Sequence, residues 1–219
     1  MATLSEIVSR YAHIVSPNPT LATLAVVERA VLNYRALLIR RDHERNGFLS
    51  DHSIQVLPCL ATDDESLSAC GIELDCYEKV SVPIPSPIRL KTGYAFRYVG
   101  SIDRKTRYTY IDENMARNLK YSRYSKNGKY FTYANNRINL IGVLPELIRV
   151  EAAFEDPKML FDFKDCKGKR LYDIDSEFPL SQDMEQAIGQ AYLQGELKFI
   201  QDSRENEIHT SSNEDAPRH

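Results

Sequence analysis

Eight of the thirteen tyrosines fall between Tyr94 and Tyr133, interleaved with Arg97, Arg104, Lys105, Arg107, Arg117, Lys120, Arg123, Lys126 and Lys129. Three kinds of chemistry use such a mixture. Tyrosine rings stack on bases while guanidinium and ammonium groups contact phosphates, as in binders of single-stranded nucleic acid. Tyrosine and arginine are also preferred anchors of protein interfaces. Strand alternation, finally, puts aromatics on a packed face and charges in solvent, with the hydroxyls at the rim. Composition alone ranks packing first, a protein interface second and nucleic acid third.

Other reactive side chains offer less. No GxxxxGK followed by Ser or Thr, no GxGxxG, GxSxG or HExxH, and no EF-hand pattern occurs. His13, His43, His52, His209 and His219 are isolated from one another, and the acid pairs Asp63/Glu65 and Asp173/Asp175 read as solvated loops rather than acid–base dyads. The expectation is a non-enzymatic protein with no catalytic, cofactor-binding or metal-ligating residues. Cys59, Cys70, Cys76 and Cys166 match no CxxC spacing, and no secretory leader is recognisable, so buried free thiols are expected. A metal site from Cys59, Cys70, Cys76 and a histidine is the weaker alternative.

The chain that positions these residues has 219 of them, 42% hydrophobic and 27% charged, which excludes wholly disordered, collagen-like and disulfide-scaffold classes. No apolar run reaches the roughly 18 residues of a membrane span, so a cytosolic site of synthesis is expected. The net charge of −3 hides a segregation. Residues 89–133 carry eleven Lys/Arg against three Asp/Glu, whereas residues 151–219 carry eight against sixteen.

An amphipathic helix is expected at the N-terminus, with Thr3 and Glu6 as a capping box and Leu4, Ile7, Val8 and Tyr11 on its stripe. SPNP (Ser16–Pro19) ends it, and a longer helix runs from Thr20 or Thr23 to Asn46-Gly47. Strands are expected at Ile54–Leu60 and Tyr77–Val82, then an extended proline connector, Val82–Ile88. Tyr94–Ile111 reads as a hairpin turning at Asp103–Thr106, Glu113–Leu119 as a short helix, and KYFTYA/RINLIG as a hairpin turning at Asn135-Asn136. A further turn is expected at Asn127-Gly128, a strand at Ile148–Phe154, a short helix at Lys158–Phe163, and a last helix from Ser181, weakened by Gly189 and Gly195. The fold class is α+β: an N-terminal helical pair (1–50), a central, mainly antiparallel β domain with hairpins (51–157), a C-terminal helical segment (158–200) and an extended acidic tail (201–219) that orders only on a partner.

The order of motifs is itself informative. FRYVGSIDRKT (Phe96–Thr106), LKYSRYSKNGKYFTYANNRINLIG (Leu119–Gly142), VEAAFEDP (Val150–Pro157) and the PLSQDMEQAIGQAYLQGELKF helix with its polar tail resemble the virion proteins that form rings in the head-to-tail connector of crAss-like bacteriophages. RALLIRRD (Arg35–Asp42) and PIPSPIRL (Pro83–Leu90) fit the same pattern. The resemblance implies a ring-forming adaptor in the virion, about 12 copies joining the portal protein to the tail and continuing the DNA channel. It implies no catalysis, cofactor or membrane. Its partners would be further copies of itself, the portal, neighbouring connector or tail rings, and packaged DNA passing through.

A ring needs a heterologous contact between two different surfaces. The expected basic surface is Arg97, Arg104, Lys105, Arg107, Tyr108, Tyr110, Lys120, Tyr121, Arg123 and Tyr124. The expected acidic one is the C-terminal region of a neighbouring copy or of the portal, with Glu205, Glu207 and Ile208 in the tail. The alternative function is a nucleic-acid-binding protein using the Tyr/Arg/Lys-rich hairpins, whose affinity would fall steeply with salt.

Overall fold

The computed structural model describes residues 2–62, 80–119, 128–142 and 145–193. Its elements are α1 (Leu4–Val15), α2 (Leu21–Asn46), β1 (Gln55–Ala61), β2 (Val80–Pro83), β3 (Arg89–Leu90), β4 (Gly93–Tyr94), β5 (Phe96–Ser101), β6 (Thr109–Tyr110), α3 (Glu113–Asn118), β7 (Tyr130–Ala134), β8 (Arg137–Ile141), β9 (Leu147–Ala152) and α4 (Gln182–Leu193). The class is α+β, with antiparallel pairing dominant. The described residues fall into two compact units: those of 2–38 with 180–193, and those within 39–179.

In the helical unit, the expected capping box is present. Thr3 Oγ1 accepts from the Glu6 amide at 3.2 Å, and Glu6 Oε2 accepts from the Thr3 amide at 2.9 Å, satisfying two donors that the first turn leaves orphaned. α1 buries Leu4, Ile7, Val8, Tyr11 and Ala12. Thr20 Oγ1 caps α2 at the Thr23 amide, and Ser181 Oγ does the same for α4 at Met184. Tyr11 and Tyr192 stack with ring centroids 4.6 Å apart. A Cβ on Gly189 would sit 3.2 Å from Tyr11 Oη, so this glycine gives the ring its room at the cost of helix propensity.

The other unit begins with the end of α2, which stops at Gly47 with φ +77°. Two sheets share one core: β1-β9-β5 and β2-β8-β7-β6. Leu57, Val99 and Val150 from the first pack with Val82, Phe131, Ile138 and Leu140 from the second. The β7–β8 hairpin turns at Asn135 and Asn136, both left-handed (φ 51° and 59°), the geometry of a tight hairpin turn. Pro58 cannot donate to the ladder, and the β1–β9 register shifts between Leu57 and Leu60. Pro83 pairs only at the end of β2, and β3 and β4 make a separate two-stranded ribbon.

One expectation is refined and one corrected. The Tyr94–Ile111 hairpin is short: Val99–Ser101 and Thr106–Tyr108 pair around the turn through the Gly100–Arg107 bridge and the Ser101–Thr106 and Tyr108–Val99 backbone bonds, while the other edge of β5 pairs with β9 and β6 joins β7 in parallel. The long antiparallel partner that β5 needs is supplied by β9. Cys59 and Cys166 are not free thiols but a disulfide, with Cα atoms 5.4 Å apart across a separation of 107 residues. It ties the segment after β9 to β1, where Leu160 and Tyr172 already pack on the core. The segment at 158–163 is a 3-10 helix, Pro157–Asp162, capped by Asp156. Cys70, Cys76, the first half of the expected Tyr77–Val82 strand (77–79), Asn127, Gly195 and the 201–219 tail lie outside the described residues, and the second half of that strand is β2.

Candidate functional site

Among the described residues, three arginines share one carboxylate on the outer face of the β1-β9-β5 sheet. Along β9, Ile148, Val150 and Ala152 face the core, so Arg149 and Glu151 face outward by alternation. Opposite them, the β5–β9 register carries one extra residue between Phe96 and Tyr98. The extra residue is Arg97, and such a bulge re-aims its side chain. Its guanidinium reaches Glu151 Oε2 at 2.9 Å through Nη2 and at 3.0 Å through Nε, and contacts Asp51 through Nη1.

Arg104 reaches the same carboxylate from the turn after β5. It is left-handed, φ 59°, an unusual state for a residue with a long side chain. The turn is over-determined. Tyr98 Oη shares its proton between the carbonyls of Ser101 and Thr106, at 3.0 and 2.9 Å, and Ser101 Oγ donates to Asp103 at 2.5 Å. That hydroxyl and the Lys105 amide hold the Asp103 carboxyl below the ordinary range. Gly100 has no space for a Cβ beside the Thr106 carbonyl and the Tyr98 hydroxyl.

Glu151 therefore accepts from Arg97 on Oε2, and from Arg104 and Arg149 on Oε1, the latter at 2.8 Å. Its side chain is 4% exposed. Burial alone would raise its pKa, but the hydrogen bonds from Arg149, Arg104 and Arg97 outweigh that and hold it below the usual carboxylate value. The arginines remain accessible, from 23% for Arg149 to 58% for Arg104. Arg107 donates from Nη2 to the Arg97 carbonyl at 3.0 Å. With Arg107 counted, four guanidiniums meet two carboxylates, and the cluster keeps a positive excess.

The structure thus brings Arg97, Arg104 and Arg107 together and adds Arg149 and Glu151, which the Tyr/basic pattern did not include. Period-two alternation in RVEA, with two charges on the face opposite Val150, was the signal that could have found them. Lys105 is exposed and pairs with Asp103 at 3.5 Å. Tyr108 is 2% exposed in the core, and Tyr110 joins Tyr94, Phe96, Phe131 and Tyr133 in a group of edge-to-face rings. Burial raises the pKa of both. The six described tyrosines of this sector are buried or half-buried, so they pack rather than present a stacking platform. Lys120, Tyr121, Arg123, Tyr124, Glu205, Glu207 and Ile208 lie outside the described residues.

Among the described residues, no three His, Cys, Asp or Glu side chains gather as a metal site, and no helix is long and apolar enough to cross a membrane. The arrangement is one that binds carboxylates or phosphates by guanidinium contact. No curated protein matches the chain. The model of one family does match, over residues 5–216, and its description is phage tail ring protein 2 of the crAss ring group. That span is nearly the whole chain: the protein belongs to the phage tail ring protein 2 family and is a structural component of the phage particle.

Proposed function

We propose that the protein is a ring-forming adaptor of the head-to-tail connector, present in about 12 copies, which joins the portal to the tail and continues the DNA channel. The observation that carries this reading is the family match across residues 5–216. The charged outer face of the β1-β9-β5 sheet supports it, because a closed ring needs one surface that differs from the surface it meets. Arginine is an interface anchor of first choice, and four of them converge on this face. The portal below the head, neighbouring tail rings and further copies of the chain are its partners, and DNA passes through without being gripped. The role is structural and non-enzymatic.

The test is quantitative mass spectrometry of purified particles, scaled to the portal protein. About one copy per portal subunit is expected. Absence from particles, with expression in infected cells, would overturn the assignment.

A further inference from the structure

We infer that the outer face of the β1-β9-β5 sheet is the receiving surface for the acidic C-terminal segment of a second copy of this chain, centred on Glu205–Ile208. The inference rests on the ring reading above and names the contact that closes the ring.

Three observations carry it. The first is the charge excess: Glu151 and Asp51 are matched against Arg97, Arg104 and Arg149, with Arg107 alongside. A guanidinium has five donors, and Arg104 and Arg149 each direct one to Glu151. Glu151 orients three side chains that would otherwise be mobile, so a partner carboxylate meets a surface whose ordering has already occurred.

The second is the backbone at Arg104. A left-handed conformation at a long side chain is unfavourable and persists only where the surroundings enforce it. Here the Tyr98 hydroxyl, the Ser101–Asp103 bond and Gly100 enforce it, and the result is a guanidinium 58% exposed at the edge of the cluster. One of its five donors goes to Glu151, and the rest of this guanidinium faces outward, open to a partner carboxylate.

The third is an apolar neighbour. Phe48 is 65% exposed, and it precedes Asp51, which contacts Arg97, by three residues, a reach of at most about 10 Å. The segment 201–219 contains Asp202, Glu205, Glu207, Glu214 and Asp215 against Arg204 and Arg218, and its one large apolar side chain is Ile208. One apolar side chain among carboxylates thus matches one exposed apolar side chain within three residues of Asp51, the acid that Arg97 contacts. A DNA phosphate would use the arginines but leave Phe48 without a role, and the described tyrosines of the sector are buried or half-buried.

The experiment uses full-length chain in assembled particles. A photo-reactive phenylalanine replaces Ile208, and cross-linked peptides are sequenced after irradiation. The expected product is a dimer-sized species joining position 208 to a peptide that bears Phe48 or Arg104. Cross-links to the portal, to DNA or only within one chain would overturn the inference.

Charge exchange supplies the second arm. Glu205→Lys with Glu207→Lys, remote in sequence from the β unit, should weaken self-association about tenfold or more. Adding Lys105→Glu and Arg107→Glu to that chain, which leaves the three guanidiniums on Glu151 in place, should recover most of the loss. Unchanged association in the first variant, or no recovery in the second, would sink the proposal. Particles that contain the ring in normal copy number but show neither effect defeat this contact alone, whereas particles without the chain defeat the ring reading itself.

Discussion

Arg104 and Glu151 lie 47 residues apart in sequence, yet the guanidinium of the first, on a left-handed backbone, donates into the nearly buried carboxylate of the second. Arg97 reaches the same carboxylate only because β5 carries a bulge. Two backbone irregularities therefore converge on one acid. A regular β5 and an ordinary turn would have left Glu151 a buried charge with Arg149 alone, a costly arrangement.

Glu151 makes folding acid-sensitive. Its folded pKa lies below the unfolded value of about 4.3, so its stabilising contribution is complete above that pH and is lost as pH falls through the folded pKa. Glu151→Gln should destabilise by about 3 kcal/mol at neutral pH, because three guanidiniums lose their shared anion. Urea midpoints measured downward from pH 7 should fall below about pH 4.3 in the parent and stay flatter in the variant. Equal acid slopes in both would place the sensitivity elsewhere.

Arg104→Gly separates stability from assembly. Glycine relieves a left-handed conformation worth roughly 1–2 kcal/mol, while Glu151 loses one of its three guanidiniums but keeps Arg97 and Arg149, about 1 kcal/mol, and glycine's own entropy cost is about 0.5–1 kcal/mol. Thermal and urea midpoints should change by the equivalent of less than about 1 kcal/mol. A large loss would mean that the turn itself depends on the arginine side chain.

Gly100→Ala should act in the opposite way. The new methyl meets the Thr106 carbonyl and the Tyr98 hydroxyl, neither of which can retreat without breaking the turn. A cost of about 1–3 kcal/mol is expected from the overpacking, read as a lower urea midpoint at unchanged slope. A midpoint equal to the parent's would show that the turn yields easily.

Much of this was legible in sequence where local rules decide. Thr3 and Glu6 announced the capping box, Asn135-Asn136 the tight hairpin, and Gly47 the end of α2, because each satisfies a short-range geometric demand. Pairing partners were not legible in the same way. The segment Phe96–Ile111 has two strands and a polar turn, and nothing local reveals that β9, some 50 residues on, takes the other edge of β5 or that β6 joins β7 in parallel. The Arg97 bulge, and with it the cluster, follows from that distant pairing. The spacing of Cys59 and Cys166 carries no sign of their bond, because the approach of residues 107 apart is set by the fold and not by the compartment rule that favours free thiols. The closure of α1 and α4 into one unit likewise rests on contacts between chain ends, such as Tyr11 with Tyr192.

Those two tyrosines predict an alkaline limit for the helical unit. Burial, with the neighbouring Tyr11 hydroxyl, pushes Tyr192 up to about 12, and Tyr11 is raised by burial and by Glu185. A raised folded pKa contributes stability fully below the unfolded value of about 10, and that stability is lost as pH climbs toward about 12. Tyr192→Phe keeps the ring stack but removes the hydroxyl that donates to the Val27 carbonyl at 3.3 Å. Helix content followed by circular dichroism between pH 9 and about 12 should fall more gradually in the variant.

The Cys59–Cys166 bond closes a span of 107 residues between β1 and the segment that follows the 3-10 helix. Such a bond typically contributes about 2–4 kcal/mol, in a chain-entropy account by restricting the unfolded chain. Leu160 and Tyr172 remain buried against the sheets whether or not the sulfurs are joined, so the reduced protein should keep the same fold at lower stability. Reductant should lower the melting temperature by about 5–15 °C. Cys166→Ser should show the lower value with or without reductant. A non-reducing digest of the parent should yield a linked pair of peptides bearing Cys59 and Cys166, and that pair should disappear on reduction. If reductant lowers the parent and the Cys166→Ser variant equally, the stabilising bond is not the one between β1 and the 3-10 segment.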